Sequence, residues 1–311
     1  MLQLSIMSIN SRIALGCDSK LFKLGGDITP IMEKCEELGL YIFDTARLYG
    51  ESERVLGEYI RSHGPREKYF VISKGCHPYP WSRLNPRCLV KDLNKSLKTL
   101  DIGYIDLYLL HRDDKNVDLK AIIKILDKYQ KEGKIKHYGV SNWTKERIIE
   151  FNKVAKELGC EPVSGVSNNF TLIPWVNDPW GGGDGCVSFS DDKEAIEFMI
   201  KNDLPLYSYS PLGRGFLTGK GKANIDIENY LDSASKRAYL SKDNINKLSK
   251  IEKIAEKLGL NVPQLTLAYL ANHKMNVIPV VATTSIERLE ENVSSVQIKL
   301  DDKIMQELEN L

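Results

Sequence analysis

Short apolar runs alternate along this chain with longer segments whose apolar residues recur at helical spacing. The runs are Arg12–Leu15, Tyr41–Phe43, Tyr69–Ser73, Ile105–Leu110, His137–Val140, Val163–Val166, Leu204–Tyr207 and Val277–Val280. Rich in Val, Ile, Leu and Tyr, they read as strands buried on both faces. Between them lie amphipathic segments with start and stop signals. Ile28–Leu38 runs into Gly39, and Pro86–Leu100 opens on a proline, which suits the first helical position. Ser52–Arg61, Asp118–Lys131, Thr144–Leu158, Asp191–Lys201, Asn246–Leu258, Pro263–Asn272, Ile286–Ser294 and Asp301–Leu311 complete the helical set. Eight strand-like runs separated by helices predict parallel strands joined by crossovers, and eight is the count of a closed (β/α)8 TIM barrel. A doubly wound sheet usually has fewer strands, and no G-x-G-x-x-G follows the first run. With no linker or shift in composition, the reading is a single domain over residues 1–311.

Two segments break the pattern. Residues 168–190 carry Pro174, Pro179 and Gly181-Gly182-Gly183, and residues 212–243 are glycine-rich at first and then polar. Both follow strand ends, so both are read as long loops on the catalytic face.

Composition narrows the function classes. Hydrophobic residues make up 42% of the 311, enough for a large core, and the net charge of +1 gives no basic face for nucleic acid or anionic lipid. No run approaches the length of a membrane helix, and Met1–Asn10 lacks the features of a secretory signal. Six cysteines at wide, irregular spacing, with no C-x-x-C, fit a reduced cytoplasmic protein. Five scattered histidines and no H-E-x-x-H argue against a metal site. No heptad seam is present, so a monomer or small homo-oligomer is expected.

The chemistry lies at the strand ends. Asp44 ends the second run, Tyr49 follows it, Lys74 ends the third and His111 the fourth. Taken singly, each has an ordinary structural role open to it. Four such groups at neighbouring strand ends, which converge in a barrel, form a set suited to delivering a proton to a developing alkoxide. A phenol is reluctant at neutral pH, and a nearby ammonium favours its ionisation. A carboxylate holds that ammonium, and an imidazole orients the substrate oxygen. The competing reading from paired carboxylates, Asp44 with Asp113 in a hydrolase, needs no cofactor.

The ordered runs Phe43-Asp44-Thr45-Ala46-Arg47-Leu48-Tyr49-Gly50-Glu51-Ser52-Glu53, Val71-Ile72-Ser73-Lys74 and Leu109-Leu110-His111 resemble the aldo-keto reductase family. So do Gly139-Val140-Ser141-Asn142-Trp143, the run from Tyr209 to Lys220, Ile278-Pro279 and Glu290-Glu291-Asn292. They look closer to the broad prokaryotic branches of that family. The resemblance implies reduction of an aldehyde or ketone to an alcohol, with Tyr49 as proton donor, Lys74 and Asp44 tuning it and His111 steering the carbonyl. It also implies a nicotinamide cofactor lying extended across the barrel mouth. Ser141 and Asn142 match the positions at the carboxamide, and Tyr209 the aromatic on the nicotinamide ring. Ser210, Leu212, Gly213 and Arg214 match the pyrophosphate loop, and Thr283, Arg288, Glu291 and Asn292 the adenosine end.

Two departures stand out. Relatives often carry a Gln near Ser167-Asn168-Asn169, where this chain offers Ser167 or Asn169 for the cofactor amide. A Lys often found just before Thr283 is replaced by Ala282, which leaves Arg288 to grip a 2′-phosphate, so NADP(H) is favoured over NAD(H). Trp175, Trp180 and Cys186 are expected over the mouth, with Trp81, Trp143 and Arg112 along its rim. The resemblance also admits a cofactor-binding regulatory subunit with little turnover.

Overall fold

In the computed structural model the eight strands close into one parallel barrel in sequence order, as the alternating pattern predicts. The structure describes residues 12–78, 81–181, 185–223 and 225–311. The expectations for Met1–Asn10 and for Gly182 and Gly183 lie outside the described residues. By internal packing the chain divides into two compact units, one running to Ser167 with Ala282–Ile286, the other Asn168–Val281 with Glu287–Leu311.

The first unit holds β1 (Ala14–Gly16), α1 (Thr29–Glu37), β2 (Ile42–Asp44), α2 (Ser52–Ser62), β3 (Phe70–Gly75), α3 (Pro86–Leu100), β4 (Ile105–Leu110), α4 (Leu119–Lys131), β5 (Ile135–Ser141), α5 (Lys145–Glu157) and β6 (Val166–Ser167). Residues of β2 and β3 are buried without alternation, as strands covered on both faces must be. Parallel register sets Asp44 opposite Ile72, Lys74 opposite Leu109, and Leu110 opposite Val140. The ends of β2, β3 and β4 therefore lie side by side.

Helix starts follow local chemistry. Asn85 accepts the Cys88 N–H at 2.9 Å ahead of Pro86, and Thr144 accepts from the Arg147 N–H. Each satisfies a donor left free in the first turn. Helices α2 and α3 approach so closely at Gly57 that a Cβ there would stand 1.9 Å from the Leu100 carbonyl oxygen.

The second unit holds α6 (Lys193–Lys201), β7 (Leu206–Tyr209), α7 (Ser233–Tyr239), α8 (Lys242–Lys257), α9 (Val262–Asn272), β8 (Val277–Val281), most of α10 (Ile286–Ser295) and α11 (Asp302–Glu309). Tyr209 pairs with Val280 across β7 and β8. The segment 212–243, read as loop, contains two 3-10 turns, Gly213–Gly215 and Ile227–Tyr230, as well as α7. Asp232 caps α7 by accepting the Ser235 N–H at 2.7 Å, and Ala238 and Tyr239 are buried. A helix this short offers too few apolar positions for its period to show in sequence. Helix α8 also starts before the expected Asn246, because Ser241 caps it.

Candidate active site

The first unit brings Asp44, Tyr49, Lys74 and His111 together at the ends of β2, β3 and β4. Lys74 Nζ donates to Asp44 Oδ1 at 2.6 Å and to the Thr45 carbonyl at 3.0 Å. Both side chains are buried, at 3% and 8% exposed. The same Nζ stands 5.2 Å from the Tyr49 ring centroid, and the His111 ring lies edge-on to Tyr49 at 6.1 Å.

Tyr49 sits on a tight turn fixed by its neighbours. Its N–H donates to the Ala46 carbonyl at 2.9 Å, and the Arg47 N–H donates to the Lys74 carbonyl at 2.9 Å. Gly50 follows with φ of 56°, and a Cβ there would come within 2.6 Å of the Lys23 carbonyl oxygen. Only glycine meets both demands. Glu53, fully buried on α2, accepts from Ser73 Oγ at 2.7 Å and from the Arg47 guanidinium. Ser52 Oγ donates to the Cys17 carbonyl at 2.9 Å and is 2.8 Å from Thr45 Oγ1. The Asp44-to-Glu53 motif thus includes a buried polar clamp that holds the turn bearing the phenol.

The electrostatics correct one expectation. Lysine was expected to lower the phenol's pKa, yet Tyr49 is held well above its ordinary value. Burial is the largest cause, followed by the charges of Asp44 and Asp18, while Arg112 opposes them. The ammonium of Lys74 is committed to Asp44, so the net field at the ring does not favour phenolate. Tyr49 is therefore a neutral phenol, the form a proton donor requires. Asp44 is also raised, by burial first, with Lys74 pulling the other way. Burial drives His111 well below its usual value, reinforced by Lys74, Arg112 and His77, so the imidazole is neutral.

Several neighbours were not singled out from sequence. The His77 ring lies 4.7 Å from that of His111, and Lys23, paired with Asp18 at 2.6 Å, lies 5.9 Å from the Tyr49 centroid. His77 follows the end of β3, so the strand-end rule that found Lys74 could have found it.

The remaining candidates divide between the units. In the first, Ser141 ends β5 and donates to the Ser167 carbonyl at 2.8 Å. Asn142 follows with φ of 63° and donates to Ser141 Oγ at 2.9 Å. Thr283 Oγ1 accepts the Ser285 N–H at 3.1 Å just ahead of α10. Trp143, expected on the rim, is fully buried and packs against Phe151 with centroids 6.0 Å apart. Its apolar ring fills the space beneath α5 instead. Trp81 is 80% exposed.

In the second unit, Tyr209 ends β7 and is partly exposed. Ser210, Gly213, Arg214 and Gly215 all have positive φ, forming a sharply wound turn that includes Leu212. The Nε of Arg214 is buried without a partner, although Nη2 reaches Asp232 at 3.4 Å and the guanidinium covers Trp180 at 5.1 Å. Asn169 is fully buried; its Nδ2 donates to the Tyr209 carbonyl at 3.1 Å and its Oδ1 accepts from Ser188 at 2.9 Å. Trp175 Nε1 donates to Tyr239 Oη at 2.8 Å. Arg288 and Glu291 lie toward the outer side of α10, with Arg288 exposed and Glu291 half-buried, while Asn292 is buried.

The chain is a parallel eight-stranded (β/α)8 barrel with Tyr, Lys, Asp and His gathered at three adjacent strand ends, the face on which barrel enzymes carry their active sites. The model of the aldo/keto reductase family matches residues 27–311, and the chain belongs to that family. A soybean (Glycine max) protein named probable aldo-keto reductase 1 is 28% identical over 87% of this chain and 75% of its own length. The Schizosaccharomyces pombe protein named aldo-keto reductase yakc [NADP(+)] is 29% identical over 89% of this chain and 80% of its own. An Arabidopsis thaliana protein named probable voltage-gated potassium channel subunit beta is 26% identical over 86% and 81%. Family membership makes the chain an oxidoreductase that uses a nicotinamide cofactor on carbonyl compounds. Among the described residues no helix is long and apolar enough to cross a membrane.

Proposed function

We propose that this chain is a carbonyl reductase of the alcohol dehydrogenase type, with Tyr49 as proton donor and NADPH as the preferred cofactor. The observation that carries the reading is the buried Lys74–Asp44 pair held 5.2 Å from the Tyr49 ring, with the His111 ring edge-on to that ring at 6.1 Å. His111 donates a hydrogen bond to the carbonyl oxygen and sets its direction. Tyr49, neutral and partly exposed, gives its proton to that oxygen as negative charge develops there. Lys74, 5.2 Å from the ring and held in place by Asp44, offsets part of the negative charge left on the phenolate.

The residues fit a dinucleotide. The orphaned Nε of Arg214 and the left-handed turn around it suit an anion such as a pyrophosphate. When bound, the nicotinamide supplies the hydride. Ser141 and Asn142 would hold its carboxamide, Tyr209 its ring, Ser210, Leu212, Gly213 and Arg214 its pyrophosphate, and Thr283, Arg288, Glu291 and Asn292 its adenosine end. Asn169 is assigned to tying its loop to the end of β7, since its amide nitrogen donates to the Tyr209 carbonyl and its oxygen accepts from Ser188. The name of the fission-yeast relative and the presence of Arg288 support NADP(H). We read residues 1–311 as one reductase domain, and the six free cysteines support a cytoplasmic setting.

The test is Tyr49→Phe, assayed by NADPH oxidation with model aldehydes. Turnover should fall by about 10²–10⁴-fold, the usual contribution of a general acid, with NADPH affinity retained. A variant keeping most of its activity would remove Tyr49 from the role. The plant relatives named as channel subunits favour a second reading, a cofactor-binding regulatory subunit. Tight NADPH binding with negligible turnover over a broad carbonyl panel would select it.

A further inference from the structure

We infer that Arg112 is an anion-binding residue of the substrate site, and that the carbonyl compounds this chain reduces best carry an oxyanion, a carboxylate or a phosphate. The inference rests on the reductase reading above.

Arg112 is 8% exposed, yet it has no carboxylate within ion-pair distance among the described residues. Its one hydrogen bond runs from Nη1 back to the His111 carbonyl at 2.8 Å, and its Nε is buried with no partner. Other sheltered arginines of the first unit are treated differently. Arg66 pairs with Asp106 at 2.5 Å, Arg83 with Asp92 at 2.5 Å, and Arg47 with Glu53. Asp113, adjacent to Arg112 in sequence, is taken by Arg147 at 3.1 Å rather than by Arg112.

A buried guanidinium without a counter-charge is costly, and an incoming anion would offset that cost. Arg112 follows His111 directly and folds back on its carbonyl, so the guanidinium is tied to the backbone of the residue assigned to orient the substrate. Its charge also acts on both Tyr49 and His111. The donors left unused form a planar fork suited to two oxygens of one carboxylate or phosphate.

The experiment compares kcat/KM with NADPH for two matched pairs, 4-formylbenzoate against 4-formylbenzamide and glyceraldehyde 3-phosphate against glyceraldehyde. The unsubstituted chain should prefer the charged member of at least one pair by about tenfold or more, the scale of a charge-assisted hydrogen bond. The pair that shows the preference identifies carboxylate or phosphate. Arg112→Met should erase most of that ratio, chiefly through KM, as loss of uniform binding does. It should also leave the melting temperature unchanged or higher, because an unpaired buried charge is removed; a purely structural arginine would lower it. Should Arg112→Met fail to fold, Arg112→Gln, which keeps a donor for the His111 carbonyl, carries the same comparison. Turnover of neutral aldehydes with no charge preference would overturn the inference and leave the reductase reading standing. So would a ratio that survives the substitution, or equal losses on charged and neutral substrates, which would assign Arg112 to the reacting centre. No turnover of any member would remove both readings.

Discussion

The Lys74–Asp44 pair gives the most direct measure of what the site costs the fold. Asp44→Asn keeps an acceptor near Lys74 Nζ and leaves the Thr45 carbonyl bond, but strands an ammonium that is 3% exposed. Removing one partner of a buried pair typically costs about 3–5 kcal/mol, and Asp44→Asn is expected in that range. Lys74→Met strands the carboxylate instead, whose Oδ2 already lacks a partner. This variant has an escape, because burial already raises Asp44 and loss of the lysine raises it further, so the carboxyl can take up a proton. A folded-state pKa above the unfolded one stabilises the fold at low pH, and that stability is lost as pH rises through the folded value. The penalty of Lys74→Met should therefore be smaller at pH 5 than at pH 8. In the double variant neither charge remains, and its cost should fall short of the sum of the singles by about 2 kcal/mol or more. Urea unfolding followed by tryptophan fluorescence, with a common m value, measures all of these. Single costs below about 1 kcal/mol that simply add would refute the picture of a buried, mutually dependent pair.

Two further predictions concern the rest of the fold. Burial lowers His273 from 6.5 to about 4, and its Nδ1 accepts the Met275 N–H at 3.0 Å. The unfolded chain binds the extra proton between those values, so stability should fall by about 3 kcal/mol as pH drops through that window. Urea midpoints that stay flat from pH 7 to 4.5, or drop equally in His273→Gln, would rule this out. Gly57→Ala should destabilise by about 1–3 kcal/mol, the overpacking cost of a Cβ facing the Leu100 carbonyl outweighing the helix propensity alanine gains. A raised melting temperature for this variant would show that α2 and α3 can separate freely.

Much of this protein is readable from order and periodicity. Eight apolar runs predicted eight strands, and all eight are present in one parallel barrel. Pro86–Leu100 matches α3 to the residue, because Asn85, Pro86 and the turn at Asp101 mark its ends locally. Asp44, Tyr49, Lys74 and His111 were legible because a parallel barrel brings its strand ends together wherever they fall in sequence. What a residue meets across space was not legible. The sign of the shift at Tyr49 depends on burial and on where Lys74 spends its charge. Arg112 and Arg147 are the same residue type near one aspartate, and only packing assigned Asp113 to Arg147. Trp143 follows a strand end just as His111 follows another, yet α5 covers it and closes it into the core. Local pattern settles backbone geometry, which is a matter of neighbours in the chain; pairing and burial depend on neighbours that only the closed barrel supplies.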